Sequence, residues 1–354
     1  MRPDQKFPYL LAVVVAAVLF GVCSAQSQQY HPQPNVLTGL NHQAVGATIY
    51  LRPEVWVNAS MAQYAQQIAA QFPEIVLSIN SQVNGTGLVG GIAFSAYTWQ
   101  RWGQFLPMPK GLFDFPGYTG PDGWPVMPRT GGELFIHAKA SRRDVLYALV
   151  TTFVDYLGDA IVDHIDVIEA WQNVLDGENR DLTGYVDGSV NCPPDQKVPQ
   201  GLIGAEDKYH TNGSFAIAQR WVHNLKAFLA MNGTLQNDVF GRTKKESNEL
   251  PNPPLTSHMV RVRQSNFGYF LVRQAMPWGD AVRKNAGLFF IAYTKDAHRL
   301  DAMCASMVGQ GTFATPPGPY DAIMKFSDPV ANNFWYFPSM EVLSQLYSQG
   351  TCCH

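Results

Sequence analysis

Apolar residues recur along this chain at spacings typical of helices and of strands. After Ser60, a residue type that can begin a helix, several apolar side chains fall on one helical face. These are Met61, Tyr64, Ala65 and Ile68. A longer helix is predicted over 141–157 and a short one over 98–105. Strands are predicted at 75–78, 88–94, 133–138 and 161–168.

The second half of the chain repeats the first. Residues 132–145 align with residues 287–300, with Gly, Phe and Ile at corresponding places, and each segment passes from a strand into a helix. A repeat of this length indicates that a whole domain was duplicated. Strands separated by helices, with hairpins between them, predict an α+β fold made of two ferredoxin-like halves.

The predicted organisation has four parts. A polar, turn-forming run at 176–179 is the predicted boundary between the two halves. The parts are a signal peptide at 1–25, a mobile lead-in at 26–52, an N-terminal domain at 53–175 and a C-terminal domain at 176–354. Within the first domain, the proline- and glycine-rich run 107–128 predicts a long loop, and loops of this length often carry function.

The N-terminus has the order of features found in a secretory signal peptide. Arg2 and Lys6 precede an apolar run at 9–22, and the small residues that end at Ala25 offer a cleavage site. The apolar run is short for a membrane span, and we expect no membrane anchor. The sequence therefore predicts an exported protein.

Composition narrows the class of protein. The chain has 354 residues, of which 46% are hydrophobic, so it can bury one large core or two medium ones. Only 15% are charged, which argues against a disordered or coiled-coil protein. The net charge of −3, without a basic patch, argues against nucleic acid as a partner.

Two further features fit an exported protein. The chain has glycosylation sequons at Asn58, Asn84, Asn212 and Asn232. After removal of the signal it keeps Cys192, Cys304, Cys352 and Cys353. Four cysteines allow three disulfide pairings, and free buried thiols remain an alternative.

One carboxylate stands between two glycines in the run Gly184-Tyr-Val-Asp187-Gly188. Glycine adopts backbone conformations that other residues avoid and lets another molecule approach closely, so this Asp can be fixed and aimed into a pocket. Taken alone, a short Gly/Asp cluster of this kind is usually a β-turn with a capping Asp. Further motifs follow it: a Gly-Arg-Thr-Lys run at 241–244, a Ser-His pair at 257–258, and an Arg-containing run at 272–279.

This ordered set resembles the dye-decolorising peroxidases, and most closely their compact bacterial-type subgroup. These haem enzymes are marked by a Gly-x-x-Asp-Gly motif, and the resemblance covers residues 53–346. It implies a duplicated ferredoxin-like fold of the dimeric α+β barrel type. It also implies one haem b per chain, held mainly by the second domain.

The resemblance also implies roles for single residues. His258 would be the proximal ligand of the haem iron, because imidazole commonly holds iron in peroxidases. Asp187 would move a proton between the two oxygens of peroxide, and an unperturbed Asp is ionised at mildly acidic pH. Arg273 would stabilise negative charge on the departing oxygen. Arg242 would pair with a haem propionate, and Gly188 would allow the haem to approach.

The chain departs from the family pattern at two points. Relatives often carry Asn or Ser two places after the distal Arg, where this chain has Ala275. Some relatives place a carboxylate that orients the ligand between the His and the Arg, and none occurs between His258 and Arg273. Such groups tune ligand basicity, so we expect these departures to affect rate and redox potential more than haem binding.

The preferred hypothesis is a secreted haem peroxidase. It would use hydrogen peroxide to oxidise phenols, aromatic amines or dyes by one-electron steps. A non-catalytic haem carrier or scavenger on the same fold is the alternative, and it would require neither Asp187 nor Arg273. A secreted interaction glycoprotein without haem is a third class. Homo-oligomers are compatible with every one of these hypotheses.

The signal peptide generates the first testable prediction. Protein recovered from the medium of a secreting eukaryotic host is expected to begin at Gln26, because the small residues before it form the cleavage site. N-terminal sequencing measures this directly. Secreted protein that begins at Met1 would contradict the prediction.

Overall fold

The computed structural model describes residues 30–120, 122–311 and 317–349. The predicted signal peptide, Cys352 and Cys353 lie outside the described residues. Within those ranges, no helix is both long enough and apolar enough to span a bilayer.

The long strands form one antiparallel sheet that closes on itself. The strands are β1 (Gln43–Leu51), β2 (Val89–Phe94), β3 (Tyr118–Thr119), β4 (Pro125–Met127), β5 (Leu134–Ala140), β6 (Val162–Trp171), β7 (Val174–Leu175), β8 (Glu178–Asn179), β9 (Ser214–His223), β10 (Val272–Arg273), β11 (Met276–Asp280), β12 (Asn285–Thr294) and β13 (Ser327–Phe337). The order around the ring is β6-β1-β5-β2-β13-β9-β12, and β11 closes it between β12 and β6. The short β10 lies against β12.

Each half of the chain contributes a ferredoxin-like sheet to this ring. In the first half the order β6-β1-β5-β2 places the strands fourth, first, third and second along the chain. In the second half β13-β9-β12-β11 repeats that order. The predicted fold class, duplicated ferredoxin-like α+β halves, is therefore confirmed. The halves meet where Tyr336 pairs with Phe94 and where Trp278 pairs with Ala170.

Helices cover the outside of the ring. They are α1 (Pro34–Leu37), α2 (Ala59–Ala70), α3 (Phe72–Gln82), α4 (Ala96–Trp102), α5 (Arg143–Leu157), α6 (Lys197–Gly201), α7 (Leu225–Ala230), α8 (Gly233–Phe240), α9 (His258–Arg261), α10 (Gln264–Phe267), α11 (Ala297–Met307) and α12 (Met340–Gln349). Successive strand residues point to opposite faces, so each sheet contributes to two cores. One core fills the ring, a second lies under the helices of the first half, and a third lies under those of the second half.

The third core lies on the face of the second sheet that carries Arg273. Arg273 pairs with Ala292, Ala292 with Ile217, and Ile217 with Phe334. Directly paired residues of antiparallel strands share a face, so these four side chains form one row across β10, β12, β9 and β13. We call this the outer face of the second half.

Two local predictions are wrong. Residues 75–78 lie in helix α3, because Phe72, Ile75, Val76 and Ile79 are buried at helical spacing, a period that four residues alone cannot display. The cap of α2 is Asn58, whose side chain accepts the N–H groups of residues 60 and 61, so the helix begins before Ser60.

The predicted lead-in 26–52 is also wrong for its described part. Strand β1 lies within it and pairs with both β5 and β6, so the first ferredoxin-like half begins no later than Gln43. Ahead of this strand, Gln33 and Asn35 are buried. The Lys139 ammonium donates to the carbonyl oxygens of residues 35, 38 and 39, which fixes this segment against the ring. Because the buried Gln33 and Asn35 are polar, the sequence of that segment showed no hydrophobic pattern that would have predicted its burial.

The cysteines and sequons fall in different environments. Cys192 and Cys304, the two cysteines within the described residues, are buried free thiols. Asn58, Asn84 and Asn232 are exposed, while the Asn212 side-chain amide donates to the carbonyl of Tyr30. The structure leaves glycosylation itself a prediction.

Candidate functional site

Asp187 lies in a loop that follows β8 and is bent by its glycines. Gly184 and Gly188 have φ angles of +88° and +90°, which non-glycine residues rarely adopt. Arg180 and Val186 form an isolated bridge, and the Asp187 N–H donates to the carbonyl of Asn179. The loop is therefore a hairpin-like turn with Asp187 at a defined place, as the glycine spacing predicted.

Charged residues at the start of this loop hold its shape. The Arg180 guanidinium donates to the carbonyl oxygens of Gly184, Lys244 and Lys245. Asp181 accepts from Thr183 and pairs with His223 at 3.0 Å. Burial acts to raise the pKa of Asp181, but the hydrogen bonds from His223 and Thr183 lower it overall, so this carboxylate stays ionised.

Asp187 and Arg273 form an ion pair. Arg273 Nη2 donates to Asp187 Oδ1 at 2.8 Å, and the Asp187 side chain is 14% exposed. The amide of Asn191 accepts from the Arg273 N–H at 3.0 Å and donates to its carbonyl at 2.8 Å. Asn191 thus clamps the loop onto β10, and the structure brings together the two residues that we predicted for the distal side.

The second oxygen of Asp187 is buried without a hydrogen-bond partner among the described residues. Burial raises the pKa of Asp187, and the Arg273 charge opposes that rise without cancelling it. The carboxyl therefore takes up a proton more readily than a free Asp, whereas the sequence-based expectation used the unperturbed value. An unpartnered oxygen with a raised pKa is suited to accepting and returning a proton.

His258 begins helix α9 and is oriented by a carboxylate from far along the chain. Its Nδ1 lies 2.8 Å from Asp321 Oδ2, and Asp321 is fully buried. Donation by Nδ1–H to Asp321 leaves the Nε2 lone pair to bind a metal. The interval between His258 and Arg273 contains no carboxylate, as the sequence shows, but Asp321 supplies an orienting carboxylate to His258 from outside that interval.

The sequence analysis also singled out Arg242, Gly188 and Ala275, and the structure shows the surroundings of each. Arg242 donates to the carbonyl of Ser247 and pairs with Glu249 at 2.8 Å, so its role toward a propionate stays a prediction. Nothing within 4 Å would meet a Cβ at Gly188, so a bound group has room to approach there. Ala275 is buried, and the neighbouring Gln274 amide does not replace its missing polar group, since it donates to the carbonyls of residues 35 and 36.

Aromatic side chains lie beside Arg273 and beside His258. Leu288 and Phe290 are half-buried, and Phe290 has the Arg273 guanidinium 5.8 Å from its ring centroid. The Phe240 ring stands edge-on to His258, with 6.4 Å between centroids. An ion pair and an imidazole with aromatic rings beside them suit a ligand that is mostly apolar and carries a few polar atoms.

Sequence reasoning missed three residues of this site. Asp321, Asn191 and Arg180 all act by hydrogen bonds to residues distant in the chain or to backbone atoms. Asn191 closes the run that begins at Asp181, so its place near the motif was the one signal that pointed to it. Nothing in the residues around Asp321 distinguishes it from a helix-capping Asp, which it also is.

Two family models match the chain. The N-terminal domain of Dyp-type peroxidases matches residues 62–166, and the C-terminal domain of Dyp-type peroxidases matches residues 178–342. The position of the boundary at 176–179 stays a prediction.

Individual peroxidases are also similar to this chain in sequence and in structure. A dye-decolorizing peroxidase of Mycobacterium tuberculosis is 28% identical over 67% of this chain and 69% of its own. One from Rhodococcus erythropolis is 26% identical over 88% of both chains. Among solved structures, a variant of Rhodococcus jostii RHA1 DypB in complex with heme is 27% identical, with a TM-score of 0.76 over 88% of this chain and 97% of that one.

The glycine geometry generates a stability prediction. Gly184→Ala is expected to lower the free energy of unfolding by about 1–2 kcal/mol, because an L side chain is strained at this φ. Urea denaturation measures the loss. Gly233→Ala is the matched control, since Gly233 begins helix α8 without a positive φ and its Cβ would meet nothing within 4 Å. Equal stability of the two variants would contradict the prediction.

Proposed function

The chain belongs to the Dyp-type peroxidase family, and on this premise we propose that Asp187, Arg273 and His258 form the active site of an exported enzyme that oxidises phenols and other aromatic compounds. The chain is a peroxidase with haem as its cofactor, and its substrates are hydrogen peroxide and a reductant. The single observation that carries the site assignment is the Asp187–Arg273 pair with its buried, unpartnered carboxylate oxygen.

The residues of this site fit a haem. His258 offers Nε2 as an iron ligand while Asp321 holds Nδ1, and Gly188 leaves room for a close approach. The orphaned Oδ2 of Asp187 lacks a protein partner, which suits an atom that meets a bound substrate. When bound, haem would supply the iron that hydrogen peroxide oxidises.

The distal pair divides two tasks between its members. Asp187 Oδ2 accepts a proton from one peroxide oxygen and returns it to the other, which makes that oxygen a better leaving group. Oδ1 remains bonded to Arg273, so the carboxylate keeps its orientation through the transfer. The Arg273 guanidinium stays charged and stabilises the negative charge that develops on the departing oxygen.

On the other side, Asp321 acts through His258. A buried carboxylate that accepts from Nδ1–H increases the electron density that the imidazole offers through Nε2. This replaces the ligand-orienting group that appeared to be missing between the two motifs. We therefore expect a proximal ligand as basic as that of relatives with a local carboxylate.

A haem carrier on the same fold is the weaker candidate. Such a protein requires His258, but it needs neither a distal carboxylate nor a cation. In the structure, Asn191 positions the Arg273 backbone and Arg180 positions the Asp187 loop. That positioning favours the enzyme.

Export and substrate class rest on separate support. The predicted signal at 1–25 and the exposed Asn58, Asn84 and Asn232 support a route through the secretory pathway. The relatives are dye-decolorizing peroxidases, which supports aromatic reductants.

The distal pair generates a kinetic prediction. Asp187→Asn is expected to keep haem but to slow the reaction with peroxide by ~10²–10⁴-fold, because an amide cannot accept the proton. Stopped-flow mixing of ferric enzyme with peroxide, without a reductant, measures this step for Asp187→Asn and Arg273→Leu. A wild-type rate in Asp187→Asn together with an inactive Arg273→Leu would assign the step to the cation alone. Wild-type rates in both variants would place the distal site elsewhere.

The pKa of Asp187 generates a pH prediction. Since burial raises this pKa, the rate with peroxide is expected to fall, as pH decreases, at a pH above the ~3.9 of a free Asp. Arg273 lowers the pKa of Asp187, so Arg273→Leu should move the acidic limb to still higher pH, while Arg273→Lys should move it less. Each profile is compared with its own maximum. If the acidic limb falls at the same pH in wild type and in both variants at position 273, Asp187 is ruled out as the titrating group.

The proximal side generates a prediction on haem retention. His258→Ala is expected to lose most of its haem during purification, because the ligand to iron is removed. Asp321→Asn should keep haem but weaken the iron–histidine bond, which lowers its stretching frequency in the resonance Raman spectrum of the ferrous protein. His164→Ala, at an exposed histidine, is the control. Full haem occupancy with an unchanged spectrum in His258→Ala would show that another residue is the ligand.

A further inference from the structure

A separate cavity of about 170 Å³ opens at the far end of the outer face of the second half. The proline- and glycine-rich loop supplies one wall through Asp114, Phe115 and Arg129, and β13 supplies another through Phe334. None of Asp187, Arg273 or His258 lines it. The loop for which the sequence suggested a function therefore encloses a space of its own.

The position of this cavity follows from strand pairing. Phe334 and Arg273 are the two ends of the row that crosses β13, β9, β12 and β10. Three strand spacings separate them, roughly 14 Å. The Phe334 wall of the cavity therefore lies on the same face as Arg273, and a molecule against that wall is beyond direct contact with the distal pair.

The volume and the aromatic walls of the cavity favour a ligand with a single ring. A cavity of about 150 Å³ in another protein accommodates benzene, so one six-membered ring fits here and a fused multi-ring dye does not. Phe115 and Phe334 form an aromatic wall, with 5.0 Å between ring centroids, and Tyr97 adds a third ring at the half-exposed side. Aromatic rings pack favourably against such edges and faces.

The charged side chains in the lining determine which ligand charge the cavity favours. Arg129 is paired with Asp114 at 2.7 Å, which leaves Glu133 as the carboxyl without a cationic partner in the lining. One Glu133 oxygen accepts from the Leu51 N–H at 2.9 Å, which fixes the side chain, and a carboxylate can accept further donors. This lining favours a neutral or cationic ligand with an O–H or N–H group and disfavours sulfonate anions.

We propose that this cavity binds the reducing substrate as a single-ring phenol or aromatic amine, with its ring on the Phe115–Phe334 wall and its O–H or N–H donating to Glu133. The proposal rests on the peroxidase function argued above. A phenol held there would give its proton to the Glu133 carboxylate, and its electron would pass to the oxidising equivalent that the bound cofactor would supply after reaction with peroxide. Two phenols and one peroxide then give two phenoxyl radicals and two waters.

Binding and turnover of guaiacol by the holoenzyme test this assignment. Glu133→Gln keeps the shape and the Leu51 contact but replaces the accepting carboxylate, so guaiacol's Kd from equilibrium dialysis and its KM should both rise about tenfold. Tyr97→Ala, at a half-buried ring that can be removed without opening the core, should raise both several-fold. Glu74→Gln, at an exposed glutamate of α3, is the control and should match wild type.

A sulfonated anthraquinone dye separates this site from others. The dye is too large and too anionic for the cavity, so its KM should not follow that of guaiacol in either variant. Unchanged Kd and KM for guaiacol in both variants would overturn the proposal, as would a parallel change for the dye. The reaction with peroxide without reductant is measured alongside, and its absence in wild type would contradict the proposed function instead.

Discussion

Burial of both faces of each four-stranded sheet is the constraint on which the rest of this structure depends. A ferredoxin-like half has one face covered by its own helices and another that is apolar and uncovered. Here the uncovered faces of the two halves fill one ring, sealed at the pairings Tyr336–Phe94 and Trp278–Ala170. Closure removes the free sheet edges and leaves the outer face of the second half as a rigid support for a site.

The site uses this support to hold charges in a costly environment. Burying Asp187 is unfavourable for its ionised form, and the Arg273 pair offsets only part of that cost, so the pKa remains raised. The arrangement persists because the loop is tied down by other contacts, chiefly those of Arg180 and Asn191. A carboxylate held in this way can exchange a proton with a substrate without changing its position.

The proximal side shows how a pattern can mislead when it is read along the chain alone. No carboxylate lies between His258 and Arg273 in the sequence, and we expected this departure to affect rate and redox potential, yet Asp321 lies within hydrogen-bond distance of the His258 imidazole. The stretch that carries it runs from α11 to β13 and brings a fully buried carboxyl against His258. Hydrogen bonding depends on position in space, so a residue that orients an imidazole can come from any part of the sequence.

The sequence by itself determined the fold class and the duplication, and it singled out Asp187 and Arg273, which the structure joins in an ion pair. The fold class and the duplication follow from helical and strand periods and from the internal repeat, and the paired glycines marked Asp187. The resemblance to a known family singled out Arg273 and His258. Tertiary structure alone decided that β1 belongs to the first half, that Lys139 and Asn35 are buried, and that Asp321 serves His258. Buried polar groups are satisfied by partners distant in the chain, and no local period records such a pairing. The same reason explains the cavity beside Phe334, whose walls come from a loop and a strand that lie about two hundred residues apart.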